Sequence, residues 1–214
     1  MAAPWRGPGA HSRGWRIESS AMSQPIDRII LASASPRRAE LLSAAGIDFE
    51  IQPADVDETV GAGESPAEYV SRLAEAKGRL VYERDSSRTV LAADTAVVVD
   101  GHILGKPLDD ADAVRMLRML IGRKHDVLTA VSVFHPGGIV DTRIDTTTVE
   151  FLPLSDADIH WYVATGEPMD KAGAYAVQGL ASRFVLRIEG SYSNVVGLPV
   201  ALAYQMLTTK LLTF

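Results

Sequence analysis

Residues 28–46, "RIILASASPRRAELLSAAG", run a short apolar stretch straight into a helix signal. Ile29, Ile30 and Leu31 suit a buried strand; Ser35 then stands at an N-cap, Pro36 at the first helical position and Gly46 at the stop. The stretch predicts a strand over 28–33 followed at once by a helix. That order does not by itself require the chemistry at the junction, which is Ser33, Ser35, Arg37 and Arg38. A helix N-terminus offers unpartnered N–H groups and the positive end of its dipole, so it is ready to take a phosphate. Serine hydroxyls and forked guanidinium donors would add to such a cradle. The plainer reading makes Ser35 only a cap and both arginines solvated, and this segment alone leaves the two readings open.

Working outward, "FEIQPADVDE" (49–58) reads as extended, and Ser65-Pro66 opens a second helix with Tyr69, Val70, Leu73, Ala74, Leu80 and Val81 along one side. "TVLAADTAVVVDGHIL" (89–104) predicts a central strand that turns at Asp100-Gly101 and returns. A helix over 109–122 ends at Gly122, and two Val- and Thr-rich runs around Pro136, Gly137 and Gly138 predict a hairpin. Ser155 and Asp158 form a capping-box start to a further helix, and the last helix runs from about Pro199 to the C-terminus. Helices alternating with strands and hairpins predict a mixed α/β sheet with helices packed around it.

Composition narrows the function. The 214 residues carry a net charge of −6 with no long basic run, which argues against binding nucleic acid polymer. Without cysteine, the chain has no disulfide, thiolate catalysis or Cys-ligated zinc, and a cytoplasmic location is expected. The apolar runs fall short of the roughly 20 residues of a membrane helix, so no membrane partner is expected. The histidines show no metal-ligand spacing. Residues 1–21, rich in Gly, Pro, Arg and Trp, read as a disordered extension, with a transit-like peptide as the alternative; residues 22–214 read as one domain.

Asp94 is the second oddity: a carboxylate in an apolar strand must be paired, metal-bound, functional or at the strand's end. Asp57 and Glu58 can join it as metal-facing acids, and Lys106 is fixed between Gly105 and Pro107. Residues 165–179, "TGEPMDKAGAYAVQG", hold too many residues of fixed geometry to be filler and predict a structured loop that brings Lys171 and Gln178 against a ligand. Gln178 carries one donor and one acceptor, enough to read an amide-like base edge. "GSYSNVVGLP" (190–199) reads as a loop in which Asn194 orders the turn.

In order along the chain, "SASPRRAELL", "DETV", "RLAEAK", "AADTAVVVDG", "ILGKP", "HDVLTAV", "EPMDKAGAYAVQG" and "YSNVVGLP" make the chain from Ile29 onward resemble the Maf family of nucleoside triphosphate pyrophosphatases. "DKAGAY" followed by "QG" is similar to the branch acting on dTTP and UTP. The resemblance implies hydrolysis of a nucleoside triphosphate to monophosphate and pyrophosphate, aided by a divalent cation (Mg²⁺ or Mn²⁺). Glu58 is the expected ligand, with Asp94 a second ligand as the alternative to acting as base. It implies an elongated mixed fold like the inosine triphosphate pyrophosphatases, a cleft between two lobes, and a homodimer. Position by position, Asp94 matches the general base and Glu58 and Lys106 further catalytic positions. Arg37, Thr95 and Gln178 match substrate-recognition positions, and Ser33, Ser35, Arg38, Lys77 and Lys171 lie in matching motifs as phosphate or base contacts. The alternatives are a broader housecleaning pyrophosphatase for modified nucleotides and a nucleotide-binding regulator of cell division.

Overall fold

The computed structural model describes residues 26–209; the extension expected over 1–21 and the chain end past 209 lie outside the described residues. Strand β1 (Ile29–Leu31) leads into helix α1 (Pro36–Ala44), as the opening stretch predicts, and β2 (Phe49–Ile51) follows. Helix α2 (Pro66–Tyr82) begins with a capping box in which the Ser65 and Glu68 side chains each take the other's backbone N–H. Strand β3 (Val90–Val99) turns through Asp100 and Gly101, both with positive φ, into β4 (His102–Leu104). After α3 (Asp110–Leu120) comes the predicted hairpin of β5 (Lys124–Phe134) and β6 (Val140–Phe151), then α4 (Asp156–Ala164) with its own Ser155 and Asp158 capping box.

Residues 165–184 form three short 3₁₀ turns, Glu167–Asp170, Ala172–Ala174 and Leu180–Phe184. Two elements escape a reading of periodicity: β7 (Val185–Glu189), and α5 (Tyr192–Val196) inside the stretch read as a loop. Each is five residues long, too short to display a hydrophobic period. Helix α6 (Val200–Thr208) follows, with Pro199 at its N-cap.

The seven strands form one mixed sheet, ordered β2-β1-β3-β5-β6-β7 with β4 also on β3. Strand β1 lies parallel to β2 and β3, and the other pairings are antiparallel. The mixed α/β class expected from the sequence is therefore the class observed. Its length comes from β3, β5 and β6, of ten, eleven and twelve residues, each spanning about 33 Å or more at the usual rise.

Strand β3 organises the core because its side chains alternate between faces. On one face Leu91 and Ala93 pack with β1, α1 and α6, while Val97 and Val99 pack with α3 and α4. On the other face Ala92 packs with Val81 and Phe134, and Ala96 with Tyr69, Val70, Leu73 and Ala74 of α2. Asp94 and Thr95 fall where one cluster stops and the next begins, one on each face. The edge of β3 has a gap at the same place: β1 pairs it only at Val90 and Leu91, and β4 only from Val97 to Val99. An opening in the sheet thus coincides with the strand's two polar residues.

Helix α2 lies close enough to the sheet to matter here. A Cβ on Gly78 would sit 2.3 Å from the Phe134 ring and 3.2 Å from Ala92 Cβ. In an unobstructed helix, Gly→Ala stabilises by about 1 kcal/mol; here the overlap should reverse the sign. Gly78→Ala is expected to destabilise by about 1–3 kcal/mol, read from urea unfolding, and a stabilised variant would show that α2 has room to retreat.

Candidate active site

The gap in the β3 edge opens into a cleft of about 470 Å³. Eleven site residues singled out from the sequence line it: Ser33, Ser35, Arg37 and Arg38; Glu58, Lys77 and Asp94; Thr95, Lys106, Lys171 and Gln178. Asp57, expected beside Glu58 as a metal-facing acid, does not: its carboxylate turns back to accept from the Thr59 N–H at 2.9 Å. Folding thereby gathers positions spread over more than half the chain.

At the head of α1, Ser35 has extended backbone as an N-cap should, but its side chain makes no capping bond. Ser33 does the local work instead: its Oγ accepts from the Ser35 N–H at 3.2 Å and from Arg38 Nη1 at 3.2 Å. Arg38 is a fixed fork, donating from Nε to the Gly197 carbonyl at 2.8 Å and from Nη2 to Thr95 Oγ1 at 3.0 Å. Thr95 Oγ1 lies 3.0 Å from Thr129 Oγ1 on β5. Gly197 has φ 127, a conformation suited to glycine, at the end of α5. Arg38 therefore ties α1 to β3 and α5. Burial pushes its pKa down, and the nearby Asp94 carboxylate opposes the shift.

On the other face of β3, Lys77 reaches from α2 between two carboxylates. Its Nζ donates to Glu58 Oε1 at 2.6 Å and to Asp94 Oδ1 at 2.7 Å, with Lys77 only 9% and Asp94 7% exposed. Burial pushes Asp94 above the usual carboxylate range, although Lys77 and Arg38 act against it. Glu58 goes the other way: burial would raise it, but Lys77, Lys106 and Arg38 outweigh burial and hold it below its ordinary value. The two neighbouring carboxylates are thus shifted in opposite directions.

Two carboxylates suit a hard divalent cation that completes its shell with water and substrate phosphates. Lys77 engages one oxygen of each. Among the described residues, no group of three or more His, Cys, Asp or Glu side chains is arranged to hold a metal ion. The donor set fits a cation shared with a phosphate ligand rather than one held in a cage of protein ligands.

The third wall comes from residues 165–184, anchored by Glu167. Its carboxylate accepts from the Tyr162 hydroxyl at 2.8 Å and from the N–H groups of Leu180 and Ala181 at 2.9 and 3.3 Å. Gly173, with φ 68, lies so close to β3 that a Cβ would sit 2.8 Å from Val97 Cβ. From this anchored wall Asp170 crosses the cleft to Arg37, accepting from Nη1 at 3.0 Å on its carboxylate and from Nη2 at 3.2 Å on its carbonyl. Its carboxylate also pairs with Lys171.

Some lining residues were not singled out as site residues. Tyr69, counted on the apolar side of its helix, donates its hydroxyl to the Glu58 carbonyl at 3.1 Å, and burial raises it to about 12. A phenol on a buried face needs a partner, which was the available signal. Asp55, Asp170 and Tyr175 also line the cleft. Behind Tyr175, buried His125 places Nε2 2.9 Å from the Tyr175 hydroxyl, and its Nδ1 has no partner among the described residues.

The mixed α/β sheet is thus broken at a cleft where several cations face two carboxylates shifted in opposite directions. The chain belongs to the Maf family: the model of the Maf-like protein family matches residues 28–210. A protein of Anaeromyxobacter dehalogenans (strain 2CP-1 / ATCC BAA-258) named dTTP/UTP pyrophosphatase is 54% identical over 177 residues, 81% of this chain and 89% of that protein. A protein of the same name from Koribacter versatilis is 52% identical over 180 residues, covering 84% of this chain and 92% of its own. Among solved structures, the Staphylococcus aureus Ham1 protein matches with a TM-score of 0.45 at 18% identity, covering 73% of this chain and 90% of that one.

Burial lowers His125 from 6.5 to about 4, with Asp126 opposing the shift. The native chain then refuses a proton that the unfolded chain accepts between those values, so this contribution is complete above about pH 6.5 and is lost as pH falls toward 4. The loss is of order 3 kcal/mol. His125→Phe should flatten the decline of unfolding free energy between about pH 7 and about pH 4.5; an unchanged slope would place the responsible proton elsewhere.

Proposed function

We propose that this chain hydrolyses nucleoside triphosphates, dTTP and UTP before others, to the monophosphate and pyrophosphate. The reading rests above all on Asp94, buried and raised in pKa, standing in one cleft with Glu58, Lys77, Lys106 and the arginines of α1. The names of the relatives agree with it. The head of α1 with Ser33, Ser35, Arg37 and Arg38, together with Lys171, holds the triphosphate. Asp94 orients a water and takes its proton as the oxygen attacks the α-phosphorus; that bond forms as the bond between the α-phosphorus and the bridging oxygen breaks. Pyrophosphate departs with the bridging oxygen, and Lys106 offsets its charge.

Glu58 would hold a divalent cation, Mg²⁺ or Mn²⁺, which when bound neutralises charge on the phosphoryl oxygens; Asp94 is a second ligand only as the alternative to its role as base. Lys77 keeps both acids in place and donates to Asp94 Oδ1, leaving Oδ2 for the water. Gln178 reads the base. A 4-oxo pyrimidine presents acceptor, donor and acceptor in a row, and one amide satisfies two of these. Thr95 supports the ligand through its link with Arg38. The cysteine-free composition fits a reducing cytoplasm, and the homodimer implied by the family resemblance is open to sedimentation.

Asp94→Asn should lower turnover by about 10²–10⁴-fold while calorimetry still detects nucleotide binding; undiminished turnover would remove Asp94 from the chemistry. Pyrophosphate release from a panel of canonical and modified triphosphates, with Mg²⁺, Mn²⁺ or EDTA, tests the rest. Metal-dependent release greatest for dTTP and UTP, and weaker for CTP and GTP, is expected. Equal rates across the canonical panel would remove the base preference, and no release would leave a nucleotide-binding protein.

A further inference from the structure

Four of the cleft's five cations are held by partners, in two different ways. Arg38 and Lys77 are locked by partners in the core, on Ser33, Thr95 and Gly197 in one case and on Asp94 and Glu58 in the other. Arg37 and Lys171 instead share one charged partner, the Asp170 carboxylate; their other bonds go to backbone carbonyls, Arg37 to that of Asp170 and Lys171 to that of Glu167. That carboxylate is 64% exposed, and exposed ion pairs are weak and readily exchanged. Beyond the Arg37 bond to its carbonyl, the Asp170 segment has an anchor apart from these pairs, because Glu167 ties it to Tyr162, Leu180 and Ala181. Arg37 and Lys171 are also the cations that approach from opposite walls, one from α1 and one from residues 165–184.

We propose that Asp170 is an internal counter-ion that occupies Arg37 and Lys171 in the empty cleft and competes with the polyphosphate of a ligand for them. The inference rests on the reading of the cleft as a triphosphate site. A ligand oxyanion replaces the carboxylate on both cations, and Asp170 swings into solvent, where its exposure already places most of its surface. Asp170 prevents the two cations from standing unpaired and weakens retention of pyrophosphate, since each departing oxyanion is replaced by one from the protein itself. The role is one of positioning and release; Asp170 touches no reacting atom.

Calorimetric titration of the full chain with inorganic pyrophosphate and with tripolyphosphate tests this. Asp170→Asn should bind both about three- to tenfold more tightly than the parent, as expected for the removal of two exposed pairings. Removing any negative charge nearby also favours anions, so Asp55→Asn is the comparison: Asp55 lines the same cleft without a bond to either cation, and its gain should be smaller. In an Arg37→Ala background most of the gain should vanish, and the melting temperature of Asp170→Asn shows that the fold survives. Equal gains in Asp55→Asn and Asp170→Asn, or pyrophosphate binding unchanged or weakened by Asp170→Asn, would overturn the proposal alone. Absence of binding by either polyphosphate in every variant would overturn the triphosphate reading and this inference with it.

Discussion

A carboxylate at the middle of the central strand has to be compensated, and the manner of compensation shapes much of this molecule. Asp94 sits between apolar neighbours on β3 with 7% of its surface exposed, where an unpaired charge would be strongly unfavourable. Its answer is Lys77, delivered by a helix that lies close to the sheet because Gly78 has no Cβ to strike Phe134. Lys77 in turn takes Glu58, which brings the extended segment after β2 to the cleft. The glycine and the carboxylate pair therefore belong to one arrangement: close helix packing is what makes a buried ion pair on this strand geometrically possible.

The second constraint is the interrupted edge of β3. A strand paired along both edges has no backbone exposed at its centre, whereas β1 pairs with β3 only as far as Leu91 and β4 only from Val97 onward. Thr95 faces that opening from the side opposite Asp94, and Arg38 fills part of it with three donated bonds. The guanidinium takes over part of the work of a strand, joining α1, β3 and the end of α5 where sheet hydrogen bonds are missing. Shortening Arg38 to lysine would keep the charge but lose the fork that reaches three acceptors at once.

Much of this was legible in residue order, for identifiable reasons. Helix α1 announced itself through Ser35, Pro36 and Gly46, and the central strand through its apolar run, because those signals are local. Asp94 was conspicuous because burial makes a charge improbable without a partner. Lys77 was read only as part of a motif, since nothing local tells a helix lysine that it will meet a carboxylate seventeen positions later on a strand. The bridge from Arg37 to Asp170 spans 133 positions and depends on how the two walls pack, so no spacing could announce it. Strand β7 and helix α5 went unread because five residues show no period, and Ser35 was expected to cap with a side chain whose local role Ser33 performs.

The charge balance of the cleft closes the physical account. The chain as a whole is at −6, yet the cleft collects five cations, Arg37, Arg38, Lys77, Lys106 and Lys171, against the four carboxylates Asp55, Glu58, Asp94 and Asp170. A site so nearly neutral cannot attract an anion through a strong standing field, and the surrounding protein repels one. On the proposed reading its affinity comes from geometry at short range, as forked and helix-terminal donors converge on one volume from two walls. Such a site favours an anion whose several linked oxyanions can engage donors from two walls at once. A single small oxyanion lacks that reach.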